Sequence, residues 1–238
     1  MLEARNLGKT YGNTRALDAL SLTIGPGEVY CLLGPNGAGK TTTVNLFLNF
    51  VSPSEGQALV CGIDSALDPL GARQQLAYIP ENVMLYGKLT GLENLGYFAA
   101  LATGRRLADA HALSLLQRAG LADEAVRRPV AGYSKGMRQK VGIAIALAKE
   151  AQALLLDEPT SGLDPLAASE FAQAIDTLRR DGMAILMVTH DLFLAQRCGT
   201  QVGIMQRGRL VATLATADTD HLRLEQAYLD ASRLQEAA

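Results

Sequence analysis

The chain carries a glycine-rich run, Gly34 to Thr42, whose residue types and spacing are those of a phosphate-binding loop. The run follows a short apolar segment at 29–33 and precedes a helix-compatible stretch at 43–50. A match to GxxxxGK(S/T) indicates a phosphate-binding loop when it lies between a strand and a helix in this way. Glycines let backbone N–H groups approach phosphate oxygens, and a helix opening near Lys40 adds its dipole. A plain glycine turn is the alternative, and the flanking segments disfavour it. We predict that the run binds a nucleoside triphosphate through Gly34, Pro35, Asn36, Gly37, Ala38, Gly39, Lys40, Thr41 and Thr42.

Two side chains of this run are suited to catalysis and to binding a metal ion. Lys40 supplies a mobile cation for the β- and γ-phosphates, so we predict a catalytic role for it. The Thr41 hydroxyl is placed to ligate Mg²⁺. A nucleoside triphosphate and Mg²⁺ are therefore the ligands to expect.

A second pair of candidate residues ends the apolar segment at 153–156. Asp157 is placed to hold Mg²⁺, directly or through water, if this strand leaves the sheet beside the phosphate loop. Glu158 points to the other side of the backbone, where it can orient the attacking water or accept its proton. A strand that ends in two solvated acids is common, but the upstream loop favours the functional interpretation.

His190 follows another apolar segment, at 184–188, in the order Thr189, His190, Asp191. A lone histidine after a strand is more often structural than catalytic. Here the strand is predicted to belong to the same sheet, so the imidazole can reach the γ-phosphate edge, and we predict a catalytic role. His111 and His221 lie in helical surface segments and are assigned none.

Composition limits the classes that fit. The 238 residues are enough for one large α/β domain or for a domain with an inserted lobe, and 48% hydrophobic residues provide a core. A net charge of −2 gives no general attraction to nucleic acid, so no nucleic-acid partner is expected. The apolar runs are too short for a membrane span, and the N-terminus lacks a signal-peptide pattern, which predicts a cytoplasmic chain. Cys31 and Cys61 are predicted to be buried, reduced thiols.

Hydrophobic periodicity divides the chain into three regions. The first 30 residues and the segments at 57–61 and 76–79 are β-rich, whereas 91–150 shows helical spacing. Apolar strands return at 153–156, 184–188 and 202–205, with a helix at 165–180 that Asp164 caps and Pro165 opens. Alternating strands and helices of this kind predict a largely parallel sheet. A terminal amphipathic helix is expected from Thr219 onward.

With these residues in place, the chain resembles the nucleotide-binding subunit of ATP-binding-cassette (ABC) transporters over nearly its whole length. Gly34 to Thr41 match the family's Walker A motif and 154–157 its Walker B motif; 161–164 look like its D-loop and His190 like its switch histidine. Tyr11 matches the aromatic residue on which such proteins stack adenine. The resemblance implies an α/β fold with a P-loop ATPase core and mainly parallel sheet, an N-terminal antiparallel β-subdomain and an inserted helical lobe.

The family's distinguishing signature, LSGGQ, is represented here by the residues from Tyr133 to Met137. Ser134 and Gly136 are retained, while Lys135 replaces the first glycine and Met137 the glutamine. Ser134 is a good N-cap for a helix predicted at 135–149, which presents its positive end to a phosphate. The resemblance implies that Ser134 and Gly136 contact the ATP of the opposite subunit in a head-to-tail homodimer, or in a dimer with a close paralogue.

The tyrosine-serine-lysine-glycine-methionine form resembles the exporter branch of the family, in which the membrane subunits are separate six-helix permeases. Glu81 occupies the Q-loop position, where a glutamine is usual, and we predict that it ligates Mg²⁺ together with Thr41 and Asp157. The apolar residues at 83–86 are expected to line the groove that receives a permease helix, although an ordinary packing face explains them almost as well.

The resemblance thus predicts one ABC ATPase domain: a catalytic core at 1–85 and 151–218, a helical lobe at 86–150 and a C-terminal helix at 219–238. Its function would be hydrolysis of ATP, its expected ligand together with Mg²⁺, to power transport from the cytoplasmic face of the inner or plasma membrane. The motif branch favours the outward direction. The alternative is a soluble ABC-family ATPase with a non-membrane partner, disfavoured because 41–134 contains no sustained heptads. A P-loop kinase leaves Ser134 and His190 unexplained.

Overall fold

The computed structural model of the chain describes residues 1–233, so the last five positions of the predicted C-terminal helix lie outside the described residues. The strands, in chain order, are β1 (Leu2–Tyr11), β2 (Thr14–Ile24), β3 (Val29–Leu33), β4 (Glu55–Val60), β5 (Ile63–Asp64), β6 (Leu76–Ile79), β7 (Ala153–Asp157), β8 (Ala184–Thr189), β9 (Gln201–Gln206) and β10 (Arg209–Ala215). The α-helices are α1 (Lys40–Phe47), α2 (Pro69–Gln75), α3 (Gly91–Thr103), α4 (Asp109–Arg118), α5 (Asp123–Val126), α6 (Lys135–Ala148), α7 (Pro165–Arg180), α8 (Leu192–Cys198) and α9 (His221–Arg233).

Two sheets form the framework. The antiparallel sheet has the strand order β2-β1-β4-β5, and the larger sheet has the order β10-β9-β3-β8-β7-β6. In the larger sheet β3, β6, β7, β8 and β9 run parallel, and only β10 is antiparallel to its neighbour β9. The carboxyl ends of parallel strands meet at one edge of a sheet, which is where open α/β sheets place their ligands. This edge therefore collects the residues that follow β3, β7 and β8.

The central strands of the larger sheet are buried on both faces. All five residues of β3 and all six of β8 are buried, as expected for parallel strands covered on each side. Alternate residues of β3 serve different cores: Cys31 packs with α3, α4, α6 and α7, and Leu32 packs with α1 and the antiparallel sheet. The two cores together hold the edge of the sheet rigid.

Local capping sets where the principal helices begin. Asp164 accepts a hydrogen bond from the backbone N–H of Ala167, and Pro165 occupies the first helical position of α7, as predicted. Ser134 accepts from the N–H of Met137 and caps α6, also as predicted. A capping box that joins Thr90 and Glu93 starts α3.

Some boundaries differ from the sequence predictions for identifiable reasons. Helix α1 ends at Phe47 rather than at residue 50, because Asn49 adopts a left-handed φ of 51° that stops the helix. Strand β10 was not predicted: its residues alternate between exposed and half-buried positions, and none of them belongs to a fully buried apolar run. The C-terminal helix begins at His221 rather than at 219.

The prediction that Cys61 is a buried thiol is wrong. Strand β4 ends at Val60, and Cys61 turns the chain with a φ of 51°, which leaves its side chain half-buried. The pattern of apolar residues was right, but the turn came one residue earlier than predicted. Cys31 is fully buried, and burial raises the pKa of its thiol well above the usual value.

Among residues 1–233, no helix combines the length and the apolar character that a bilayer crossing requires.

Candidate functional site

The glycine-rich loop joins β3 to α1 at the carboxyl edge of the larger sheet. Gly39 has a φ of 105°, and a Cβ atom there would lie 2.7 Å from the carbonyl oxygen of Ala16, so only glycine fits. Helix α1 begins at Lys40, as predicted, and its first N–H groups face the loop. The loop is thus a backbone cradle with room for phosphate oxygens, and at Gly39 it has no room for a side chain.

The side chain of Lys40 folds back into the loop and contacts its backbone. Its side chain is only 6% exposed, and its Nζ donates to the carbonyl oxygens of Gly34 at 2.6 Å and Pro35 at 3.1 Å. Burial lowers the pKa of Lys40, while the charges of Glu158 and Asp157 oppose that shift. The ammonium group is therefore held at the phosphate cradle, within electrostatic reach of the two carboxylates.

The loop and the carboxylates share one cavity of about 340 Å³. Most of the predicted site residues line it, from the loop, from the end of β7 and from the Q-loop position: Asn36, Gly37, Ala38, Gly39, Lys40, Thr41, Thr42, Glu81, Asp157 and Glu158. Ala16 of β2 and Val188 of β8 also line it, and sequence reasoning missed both. They bear no functional group, so no residue type signalled them.

The donor set of the cavity fits a magnesium ion. Within the described part of the chain, no three His, Cys, Asp or Glu side chains form a metal site of their own. Mg²⁺, however, is typically held by one or two carboxylates together with phosphate oxygens and water. The Asp157 and Glu81 carboxylates and the Thr41 hydroxyl, all on this cavity, supply such a set.

Burial and the neighbouring carboxylates both raise the pKa of Asp157. Burial raises its pKa, and the neighbouring charges of Glu158 and Glu81 raise it further, while Lys40 lowers it. Carboxylates gathered in this way repel one another when no cation is bound. The same repulsion favours binding of a divalent cation.

Replacement of Asp157 by asparagine is expected to raise the melting temperature of the nucleotide-free chain at neutral pH. The folded-state pKa lies above the usual value of 3.8, so the folded chain holds this proton more tightly than the unfolded chain. The contribution of Asp157 to stability therefore falls as the pH rises from about 3.8 through the raised pKa, and it stays at its lowest above that value. Asparagine has no charge and escapes this loss.

Thermal unfolding of both proteins between about pH 3 and pH 8 checks this expectation. The two melting temperatures should converge at the acidic end and separate toward neutral pH. Asp109→Asn, a change at an exposed position of α4, is the control. An Asp157→Asn protein that melts below the wild type at pH 7 would contradict the assignment.

Glu158 and His190 form a close pair at the same edge. The Nδ1 of His190 lies 2.8 Å from the Oε2 of Glu158, and the backbone N–H of His190 points to the same oxygen at 3.4 Å. The N–H of Glu158 in turn donates to the carbonyl oxygen of Val188 at 2.8 Å. One oxygen of the carboxylate is thus fixed by His190, which leaves the other free for a further partner.

Glu158 also adopts an unusual backbone conformation. Its φ is 45°, in the left-handed region, which costs a residue with a side chain roughly 1–3 kcal/mol. The turn changes the direction of the Glu158 side chain at the end of β7, and that side chain is only 20% exposed. Strain that the surrounding structure maintains at a cavity wall is typical of functional sites.

The other predicted site residues do not line this cavity within one chain: Gly34 and Pro35 at the start of the loop, His190, Tyr11, Ser134 and Gly136. Tyr11, at the end of β1, is 44% exposed, and the Nζ of Lys9 stands 5.0 Å from the centroid of its ring. Ser134 and Gly136 are at the N-terminus of α6 and do not line the cavity that the phosphate loop forms. A single chain therefore brings the loop and the carboxylates together, but not the signature residues.

The fold and the cavity together define a P-loop nucleotide-binding protein with an inserted helical lobe. Residues 17–161 match the family model described as ABC transporter. The chain belongs to the ABC transporter family of ATP-binding proteins. This confirms the resemblance on which the fold prediction rested.

Curated relatives agree with this assignment. The chain is 35% identical over 213 residues to the probable multidrug ABC transporter ATP-binding protein YbhF of Escherichia coli, which covers 90% of the chain but only 37% of that relative. It is 36% identical to the ABC transporter ATP-binding protein YhcH of Bacillus subtilis, covering 89% of the chain and 68% of the relative. The lantibiotic transport ATP-binding protein SrtF of Streptococcus pyogenes is 33% identical, with 89% of each chain covered.

Solved structures confirm the predicted fold class. An ATP-binding subunit of an ABC transporter is 32% identical, matches all of both chains and superposes with a TM-score of 0.80. The dimeric cassette MJ0796 bound to ADP and Pi is 26% identical, covers 91% of this chain and 99% of its own, and has a TM-score of 0.79. A relative of known structure is therefore a nucleotide-bound dimer.

Proposed function

We propose that this chain binds and hydrolyses ATP as a head-to-tail homodimer, or as a dimer with a close paralogue, and that it powers outward transport through a separate membrane permease. The observation that carries the proposal is the Glu158–His190 pair: Glu158 lines the cavity that the phosphate loop forms, and His190 contacts its carboxylate from outside that lining. A carboxylate held in this way can orient a water molecule and accept its proton. The names of the relatives, which include multidrug and lantibiotic transport, support an export role.

The chemistry follows from the position of each group. The loop N–H groups and Lys40 hold the phosphates and offset their charge. Asp157, Thr41 and Glu81 would hold Mg²⁺, which when bound neutralises phosphate charge and orients the phosphoryl group. Glu158 acts on the water, and His190 keeps its carboxylate aimed. Tyr11 offers the free face of its ring to adenine, opposite Lys9.

The position of the signature residues supports the dimer. Ser134 caps α6 in each chain, and the N-terminus of that helix is suited to a phosphate, yet it does not line its own chain's cavity. A second copy in head-to-tail orientation would bring Ser134 and Gly136 to the first copy's nucleotide. The test is ATP turnover by the purified chain, together with the oligomeric state of a Glu158→Gln variant, which should bind ATP, remain dimeric and hydrolyse very little.

An apolar groove between the core and the helical lobe provides the proposed contact with the permease. It has a volume of about 260 Å³, and its lining residues come from β6, the loop at 80–85, α3 and α6: Tyr78, Ile79, Pro80, Asn82, Val83, Met84, Leu85, Phe98, Gly142 and Ile145. Met84 is 82% exposed at its rim. The groove lies where the proposed core at 1–85 and 151–218 meets the proposed lobe at 86–150, so an occupant would contact both parts. This contact would hold the chain at the cytoplasmic face of the inner or plasma membrane.

Substitution of aspartate at this groove is expected to break the contact with the permease. Met84→Asp or Leu85→Asp places a charge where an apolar helix would pack, so each variant should lose most of the membrane protein that the wild type retains in a pull-down. The bait is the tagged chain, co-expressed with a candidate six-helix membrane protein that is sought first among the genes next to its own.

Leu67→Asp is the matched control, because Leu67 is also 82% exposed but lies before α2, away from the groove. It should retain the partner. Equal recovery of the partner with all three variants would exclude the groove, and recovery of a soluble protein in its place would favour the alternative of a non-membrane partner.

A further inference from the structure

Two of the positions at which the chain departs from the family motifs contact each other. Lys135 stands where the signature usually has glycine, and Glu81 stands where the Q-loop usually has glutamine. The Nζ of Lys135 lies 3.5 Å from the Oε1 of Glu81, although the residues are 54 positions apart. The two side chains are 25% and 47% exposed, so water screens the pair only in part.

Helix α6 holds the backbone at Glu81 as well as its carboxylate. Lys135, Gln139 and Gly142 recur at the spacing that places side chains on one face of a helix. The amide of Gln139, which is fully buried, donates to the carbonyl oxygens of Glu81 at 3.1 Å and Pro80 at 3.4 Å. At Gly142 a Cβ would already touch the Ile79 side chain at 3.4 Å, so helix and loop are close-packed. Residue 81 is therefore held against α6 through both its side chain and its backbone.

Glu81 faces the metal-binding residues on its other side. It lines the nucleotide cavity together with Thr41 and Asp157. Its charge contributes to the raised pKa of Asp157, which indicates that the two carboxylates sense each other electrostatically. The Glu81 carboxylate is thus placed between an ammonium group on α6 and a second carboxylate at the proposed cation site.

We propose that Lys135 is a positioning residue, which lowers the affinity of the site for a divalent cation by holding the Glu81 carboxylate toward α6. The inference rests on the proposed function, because it takes the cavity to be a nucleotide and metal site. A cation at Asp157 must compete with Lys135 for Glu81. Cation binding consequently loosens the contact between residue 81 and the first turn of α6, the turn that carries Ser134.

The test measures binding of Mn²⁺, as a magnetic-resonance probe for Mg²⁺, to the full chain loaded with a non-hydrolysable ATP analogue. Lys135→Met should lower the Mn²⁺ dissociation constant by about two- to five-fold, the range expected from loss of a partly exposed ion pair. Glu81→Gln should raise it. In the Glu81→Gln background, Lys135→Met should have no further effect, because Lys135 acts through Glu81.

Lys140→Met is the matched control: Lys140 lies on the same helix and pairs with Glu170 at 2.7 Å, away from the cavity. It should leave Mn²⁺ affinity unchanged. Lys135→Gln repeats the test with a polar side chain, should the Met variant fold poorly. Unchanged Mn²⁺ affinity in both Lys135 variants would overturn the proposal, as would an effect that persists without the Glu81 carboxylate.

Nucleotide affinity, measured in parallel with a fluorescent ATP analogue, separates this proposal from the one on which it rests. A chain that binds no nucleotide at all would overturn the proposed function. If the chain binds nucleotide normally but its Mn²⁺ affinity is the same in the wild type and in the Lys135 variants, only the proposed role of Lys135 is overturned.

Discussion

Glu158→Gln is expected to reduce ATP turnover by about 10²- to 10⁴-fold, the usual contribution of a positioned general base. Glutamine has the shape of glutamate, and its amide oxygen can still accept hydrogen bonds from the Nδ1 and the backbone N–H of His190. It cannot take a proton from water at neutral pH. ATP affinity should therefore stay within about two-fold of the wild type, since the phosphate loop is untouched.

Three measurements make this result specific: phosphate release, equilibrium ATP binding and the oligomeric state in ATP by light scattering. The variant should accumulate as an ATP-bound dimer, because hydrolysis no longer opens it. Glu150→Gln is a close control, since Glu150 also has a left-handed φ, of 55°, but lines a different cavity. Turnover by Glu158→Gln within about three-fold of the wild type would remove Glu158 from the catalytic role.

Lys40→Met is expected to weaken ATP binding itself, by about 10- to 100-fold in the dissociation constant. Hydrogen bonds to charged groups contribute about 1.5–3 kcal/mol, and methionine keeps the apolar stem of the side chain while removing the ammonium group. Lys40 is the loop's own cation: its Nζ already lies within hydrogen-bond distance of two loop carbonyls. Turnover should fall with binding, whereas Glu158→Gln should separate the two.

Titration with a fluorescent ATP analogue measures the affinity, and thermal unfolding without nucleotide shows whether the variant is folded. Lys149→Met is the matched control, because Lys149 is half-buried and its Nζ, like that of Lys40, donates to a backbone carbonyl, that of Leu76, at 2.7 Å. That change should cost stability without weakening ATP binding. A Lys40→Met chain that is folded and binds ATP as the wild type does would show that the loop holds phosphates without its lysine.

Sequence reasoning succeeded where the requirement is local. The phosphate loop could be predicted from Gly34 to Thr41, because a tight turn, a helix start and a lysine at fixed spacing all depend on neighbouring residues. The caps at Ser134 and Asp164 follow for the same reason, since a side chain bonds an N–H only three residues on.

The exact ends of elements were less predictable. The left-handed turn at Cys61 has no signal in residue type, and the turn at Asn49 has only the moderate preference of asparagine for this conformation.

The chain's own sequence thus determined its phosphate-binding loop, its carboxylates and its family. Tertiary structure alone decided which of these groups meet. Strand order brings β3, β8 and β7 side by side, so Glu158 reaches His190 across 32 positions, and α6 packs on the loop so that Lys135 reaches Glu81. Such contacts depend on how distant elements pack, whereas residue spacing along the chain constrains only the nearest few neighbours.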